Sequence, residues 1–389
     1  MPNRALVGLL TAALVLRVGL ALLSPGVSYE MESYRIQAQA VLTGQNIYAA
    51  TYRYPYPPLW MYWPAAAVRL SETLGAPFYF WIKLPAIVAD LIIGALIFTW
   101  PRAAQAHTAA CQSAWYLFNP IVLIVSVLHG QFDPVVTLGM LGAARAWLAR
   151  RWLLSALSLS VAIALKLFPV LLLPLFLIDL PSWKTAVQYA LVAVSTLCVI
   201  CVPYLATNGT RLVGLLMRYT STPDHSYSYW IVALSAPADP PVLPPLLARL
   251  RELSRWLQGG VALLAAAVGH VRGWAIERRV AVLLAGLYVV LPGLASQQMI
   301  WLVPFLVLTR PRWPLWSYTL ISTVALVLFY GQHFPDTLWL PASAPSSTLL
   351  TIRLIVEAAW WLTALGVTGA LITERSGQAR PVMEMQNPT

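Results

Sequence analysis

Apolar runs of about twenty residues recur along almost the whole of this 389-residue chain, and they constrain its fold more than any other feature. A helix crosses the hydrocarbon core of a bilayer with roughly 20 apolar residues, because its backbone hydrogen bonds close internally. The chain is 59% hydrophobic and only 10% charged, against about 45–50% and about 25% in average soluble domains. That balance excludes a water-soluble globule and predicts an all-α polytopic membrane protein. The net charge of +11 does not point to nucleic acid, because the basic residues are scattered and mostly end apolar runs. That is the positive-inside pattern of membrane helices. Cys111, Cys198 and Cys201 all fall inside apolar segments without metal-ligand spacing, so they read as packing residues.

With Arg4 in the cytoplasm, the charge pattern predicts about twelve crossings within a single transmembrane domain, 1–373. The first run, 5–23, has a basic flank but no convincing small-residue cleavage site, so it reads as a retained helix. It leads to a first outer loop, 24–77. The apolar stretch 57–74 within it is interrupted by Pro64, Arg69 and Glu72, which predicts a helix lying in or dipping into the interface. Further crossings are expected near 79–100, 108–128 and 133–149. The run 152–180 contains Lys166, Pro169 and Pro174, which predicts two short helices broken at Lys166. A crossing near 185–206 then leads to a second outer loop expected over 207–255. Crossings then follow near 256–272, 279–295, a short one reaching Arg310, 314–331 and 349–373. Residues 374–389 read as a cytoplasmic polar tail. This threading puts most arginine pairs inside and the main acidic and His-containing clusters outside.

The outer clusters hold the residues with chemistry to offer. Tyr29-Glu30-Met31-Glu32-Ser33-Tyr34 follows the first helix directly, and a carboxylate in a partly dry cleft suits general-base work. Glu30 and Glu32 are the candidates; the alternative is that they solvate or cap a helix end. Downstream, Tyr52-Arg53-Tyr54-Pro55-Tyr56-Pro57-Pro58 supplies aromatic walls, with Tyr54 and Tyr56 as candidate sugar or acceptor contacts. His129-Gly130-Gln131-Phe132-Asp133-Pro134 is the second cluster. There Asp133 is either a second catalytic carboxylate or a helix N-cap, and His129 and Gln131 offer hydrogen bonds to a sugar. Carboxylates and His on these separate loops also make a divalent metal a possible cofactor.

Lys166 sits in an apolar context, Ala164-Leu165-Lys166-Leu167-Phe168-Pro169, where an ion is functional by default. A lipid-linked phosphate is its natural partner, and snorkelling to the interface the alternative. Lys83 carries the same two readings, while Asp90, deeper in its helix, fits pairing with a polar group of another helix. Arg218 and His225, among Tyr and Trp, fit phosphate recognition or an interfacial aromatic belt equally. Gln297 and Gln298 are weaker candidates on the same face.

Taken in order, these motifs resemble the GT-C superfamily of integral-membrane glycosyltransferases. They are most similar to polyprenol-phosphate-sugar enzymes such as glycosyltransferase family 87 and the GPI mannosyltransferase I type. The resemblance rests on Glu30, Tyr34, Gly44-Gln45-Asn46-Ile47-Tyr48, the Tyr52–Pro58 turn, Gly130–Asp133, Leu165–Pro169 and Ser296–Pro304. It covers most of the chain by topology, with specific motifs over perhaps a fifth of it. The family's first-loop acid is most often Asp, and here the place falls to Glu30 or Glu32. The resemblance implies inverting transfer of a hexose, mannose above others, from a polyprenyl-phosphate donor to a glycolipid or glycan hydroxyl. It implies an outward-facing site in the plasma (inner) membrane, with Lys166 beside the donor phosphate. A lipid or lipid-linked sugar flippase is the competing reading. That reading calls for midplane polar residues in repeat-related broken helices, and no repeat is visible.

Overall fold

The computed structural model describes residues 2–101, 105–218, 224–225, 227–234, 245–309, 312–340 and 346–374. Among these there are helices and no strand. In chain order they are α1 (Pro2–Leu23), α2 (Ser28–Leu42), α3 (Ile47–Ala50), α4 (Tyr62–Leu74), α5 (Phe78–Phe98), α6 (Ala106–Leu117) and α7 (Pro120–Leu123), the last continuing as a π-helical turn, Ile124–His129. Next come α8 (Asp133–Leu148), α9 (Trp152–Leu165), a 3₁₀ turn at Phe168–Leu172, α10 (Leu173–Leu177) and the long α11 (Trp183–Arg218). The remainder is α12 (Tyr227–Leu234), α13 (Pro245–Val271), α14 (Ile276–Val290), a 3₁₀ turn at Ser296–Leu302, α15 (Val303–Thr309), α16 (Arg312–His333), a 3₁₀ turn at Pro335–Leu338 and α17 (Ser347–Thr373).

Five of the described helices are long and apolar enough to cross a membrane: α1 from Arg4, α5, α11 to Leu216, α16 and α17. The pair His107–Leu117 and Pro120–His129, bent by 41°, makes a sixth if it is one span. Trp152–Leu165, Phe168–Leu177 and Ser296–Thr309 are shorter apolar segments. These apolar helices make the chain an integral membrane protein, with one bent helix pair and several short apolar segments among the described residues. Helix α4, in the stretch expected at the interface, is absent from the candidate spans and buries Pro64, Ala65 and Ala67.

Much of 207–255, expected as an outer loop, is helical. Helix α11 runs on past a non-helical Asn208 to Arg218, and α13 begins at Pro245. The leucines at 247, 250 and 257 repeat at helical spacing among charges, a pattern that a search for uniformly apolar runs passes over. Residues 375–389, the expected tail, lie outside the described residues.

Two glycines set the geometry on which the site depends. Gly26 and Gly130 adopt φ +84° and +88°, where side chains are strained. A Cβ on Gly26 would stand 2.8 Å from Met31 Cε and 3.0 Å from the His129 carbonyl oxygen, and one on Gly130 would stand 2.7 Å from Met31 Cε. The first loop therefore presses directly on the π-helical turn. The Val27 N–H donates to the His129 carbonyl (3.1 Å) and the Ser24 hydroxyl to the Leu128 carbonyl (3.1 Å). Gly130→Ala is expected to destabilise the fold by about 1–3 kcal/mol through backbone strain, read as a lowered unfolding temperature in detergent; an unchanged one would contradict this geometry.

Deeper in the bundle, Arg17 Nε and Asp90 Oδ2 pair at 3.1 Å with neither side chain exposed, and the Tyr116 hydroxyl donates to Asp90 Oδ1 (2.8 Å). Asp90 thus meets a polar partner on another helix, which fastens α1 and α6 to α5. Removing either charge would strand the other in a dry interior, at about 3–5 kcal/mol.

Candidate active site

The tyrosine-rich stretch after α3 is a built turn. The Tyr48 hydroxyl donates to the Tyr56 carbonyl (2.8 Å), and the Tyr54 hydroxyl donates to the Pro57 carbonyl (2.6 Å) while accepting from Met61 N–H (3.2 Å). Prolines 55, 57 and 58 cannot donate backbone hydrogen bonds, so side chains close the turn instead. Tyr54 is fully buried in this role, so it faces no cavity as a sugar contact. Tyr56, two residues on, projects between two cavities and lines both.

The first cavity, about 510 Å³, is walled by Tyr29, Glu30, Tyr34, Arg53, Tyr56 and Arg211, among others. Glu30 lies in the first turn of α2, where the helix dipole favours a carboxylate, and its side chain is 24% exposed. Glu32 is occupied elsewhere: Arg53 Nη1 holds its carboxylate at 2.9 Å, and Arg53 also stacks over Tyr29 and donates to the Tyr29 carbonyl. Of the two acids, only Glu30 is among the lining residues. Tyr34 donates to Gln131 Oε1 (3.2 Å). Burial first, then the nearby Glu30 and Asp133 carboxylates, push its hydroxyl well above the ordinary tyrosine range, so it remains a neutral donor. Gln131 is itself buried and reaches the cavity wall only through Tyr34.

The second cavity, about 450 Å³, is mostly apolar and contains the broken helix. Helix α9 stops at Leu165 because Lys166 turns extended (φ −144°, ψ 138°), and Pro169 opens the 3₁₀ turn that follows. Freed from the helix, Lys166 Nζ donates to both Asp133 oxygens at 2.9 and 2.8 Å, and Trp301 Nε1–H donates to Asp133 Oδ1 at 2.7 Å. Asp133 begins α8 but Phe132 occupies the N-cap position. Its carboxylate therefore goes to Lys166 rather than to the helix end, and it is completely buried. The ammonium also lies 4.9 Å from the Tyr56 ring and 4.8 Å from Phe132, within cation–π range. Trp301 stacks on Phe168 at 3.6 Å, closing the floor.

Arg251, Ser254, Arg255 and Gln258 reach the same cavity from α13, and Gln298 from the 3₁₀ turn at Ser296. Arg251 Nε is buried with no hydrogen-bond partner among the described residues. The two arginines, four apart, share a helix face. They were not foreseen as site residues because their helix was read as loop; the amphipathic spacing is the signal that would have found them.

The other expected residues lie elsewhere. Lys83 is buried and donates to the Ser24 carbonyl (2.6 Å), which holds the first loop. His225 is fully buried, with Nδ1 2.7 Å from Glu357 Oε1 and Nε2 3.1 Å from Ser296 Oγ, and lines neither cavity. Gln297, next to Ser296 in sequence, is buried and likewise lines neither. The Arg218 side chain is outside the described residues. His129 is 4% exposed and faces Glu30 and Tyr330. Asp133 is already bound to Lys166 and Trp301, and no three His, Cys, Asp or Glu side chains gather as metal ligands among the described residues. The arrangement therefore does not fit the divalent ion that separate loops had allowed.

The chain aligns over 94% of its length, and over 76% of the other chain, with the crystal structure of ArnT from Cupriavidus metallidurans bound to undecaprenyl phosphate. The TM-score is 0.50 and the identity 14%, a likeness of fold alone: the helical architecture resembles that of ArnT. No family model matches the chain. No curated protein matches it either.

Proposed function

We propose that this protein is an inverting glycosyltransferase that moves a hexose from a polyprenyl-phosphate donor to a hydroxyl of a glycolipid or glycan acceptor. The observation that carries the reading is the pair of adjoining cavities that meet at Pro55 and Tyr56. One presents a carboxylate, and the other combines apolar walls with Lys166, Arg251 and Arg255. An apolar groove ending in cations matches a lipid phosphate, whose charge is stabilised by N–H donors out of water. The ArnT-like fold supports the same donor class, since ArnT was solved with undecaprenyl phosphate.

In this account the acceptor lies in the first cavity with its hydroxyl against Glu30, and the sugar bridges past Tyr56. The acceptor oxygen attacks the anomeric carbon from the face opposite the phosphate. The bond from that carbon to the phosphate oxygen breaks, and its electron pair leaves with the polyprenyl phosphate. Glu30 takes the acceptor proton. Lys166 and the two arginines meet the negative charge that grows on the leaving phosphate, the electrostatic part of the rate enhancement. Asp133 positions Lys166. Mannose is the sugar implied by the sequence resemblance, and the charge pattern supports a site on the extracytoplasmic face.

Two results are expected. Arg251→Ala with Arg255→Ala weakens binding of polyprenyl phosphate by about a hundredfold or more, as two charge-assisted contacts of about 1.5–3 kcal/mol each give at their lower end; titration of the purified protein in nanodiscs reads it, and unchanged affinity would place the phosphate elsewhere. Glu32→Gln retains transfer within about threefold, because the residue serves an exposed ion pair with Arg53. A loss as deep as that of Glu30→Gln would make Glu32 the base.

A further inference from the structure

His129 is buried and lines neither cavity, so a sugar does not reach it, yet its imidazole is aimed. Nδ1 meets the Tyr330 hydroxyl, and Nε2 lies 3.9 Å from Glu30 Oε1. That Nε2 is buried with no hydrogen-bond partner among the described residues. An orphaned ring nitrogen in a dry interior is costly, and the carboxylate that faces the acceptor cavity stands 3.9 Å from it.

We propose that His129, held by Tyr330, is the positioning residue of Glu30, fixing its carboxylate in the ionised, outward-facing state needed to take a proton. The inference deepens the reading of Glu30 as the base and rests on it. With the Tyr330 hydroxyl taken as the donor to Nδ1, the tautomer is the one that leaves the ring proton on Nε2, the atom facing Glu30. An N–H aimed at a carboxylate favours its charged form. The 3.9 Å separation closes to a hydrogen bond when substrate excludes water, as catalytic contacts commonly tighten in the reacting complex.

The backbone supports this aim. His129 ends the π-helical turn, a distortion common at functional sites, and Gly130 in its left-handed conformation lets the chain turn away beneath Met31. The His129 carbonyl receives Val27 N–H, three residues before Glu30, so imidazole and carboxylate are carried by two segments already tied together. Glu32 has no comparable partner. Its carboxylate is 65% exposed and turned to Arg53, so the geometry selects one acid of the two.

The titratable and charged groups around the imidazole are Glu30 and Tyr34 from α2, Lys83 from α5, whose side chain passes Gly130, Tyr330 from α16, and Asp133 paired with Lys166. Beyond Tyr330 lie Asp224, and Ser296 with His225 and Glu357. Lys83 and the Asp133–Lys166 pair are present in every variant below, so a change in the profile reports His129 or Tyr330 themselves.

The experiment is the pH–rate profile of sugar transfer by the full-length protein in liposomes. Wild type, His129→Gln, Tyr330→Phe and Glu30→Gln are each supplied with polyprenyl-phosphate mannose and a membrane glycolipid extract. If that donor gives no wild-type product, other polyprenyl-phosphate hexoses take its place. His129→Gln is expected to move the acidic limb of kcat upward by about one pH unit and leave the acceptor KM unchanged. Tyr330→Phe moves it in the same direction by less, and carries the test if His129→Gln fails to fold. An unmoved limb together with a raised acceptor KM would make His129 a substrate contact and overturn the proposal. An unmoved limb with unchanged KM would overturn it as well, leaving the residue a packing role. Activity surviving in Glu30→Gln would instead strike at the assignment of the base, a failure separable from the others.

Discussion

Glu30→Gln is expected to abolish sugar transfer, lowering kcat by about 10²–10⁴-fold, the range that a positioned general base supplies, while expression and unfolding temperature remain those of the wild type. The amide keeps the shape of the carboxylate and accepts hydrogen bonds, but it takes no proton at working pH. Little else changes, because Glu30 makes no short ion pair in the fold and its side chain is partly exposed at the cavity. Donor binding is expected to stay within a few-fold, since Lys166, Arg251 and Arg255, the cations assigned to the phosphate, belong to the neighbouring cavity. Single-turnover transfer in liposomes, with donor affinity measured in parallel, reads both quantities. A variant that transfers at more than a tenth of the wild-type rate would remove Glu30 from the chemistry.

Lys166→Met produces the second large effect, and here fold and function must be separated. The ammonium is the partner of a carboxylate with no exposure, Asp133, held by two hydrogen bonds from Lys166 and one from Trp301. Losing one member of a buried pair leaves an uncompensated charge at about 3–5 kcal/mol, so the single variant is expected to unfold at a clearly lower temperature. The double variant Lys166→Met with Asp133→Asn removes both charges and recovers most of that stability, because replacement of a whole buried pair is often neutral. Transfer does not return with it. A double variant that is stable and fully active would show that the pair serves packing alone; a stable and inactive one assigns the ammonium to the donor phosphate.

Sequence and structure meet most closely where local chemistry governs. The break at Lys166 was legible because a charge and two prolines interrupt an apolar run, and the chain does leave the helix there. The prominence of Glu30 was legible from a carboxylate placed right after a membrane helix. What stayed hidden depended on contacts between distant segments. Asp133 and Lys166 are 33 residues apart, and neither names the other in sequence; Asp133 followed by Pro134 suggested an N-cap as readily as a second catalytic carboxylate. Arg17 and Asp90 find each other across 73 residues. His225 drew attention for its aromatic neighbours, but Glu357, 132 residues away, takes its imidazole into a cluster that lines neither cavity. Arg251 and Arg255 were set aside with an expected loop because hydropathy alone does not register an amphipathic helix. The number of crossings is also underdetermined by composition, since short apolar pieces such as Ser296–Thr309 sit beside full-length spans.

The central claim is that one donor lipid is consumed for each sugar transferred, at the junction marked by Tyr56. The direct measurement uses purified protein in liposomes containing a panel of polyprenyl-phosphate hexoses, a membrane glycolipid extract as acceptor, and label on both sugar and lipid. The account predicts that one donor in the panel yields labelled glycolipid and free polyprenyl phosphate in equal amounts, with inverted configuration at the anomeric carbon. Intact donor moved from one leaflet to the other, with no polyprenyl phosphate released from any member of the panel, would contradict the account and make the protein a transporter of lipid-linked sugars.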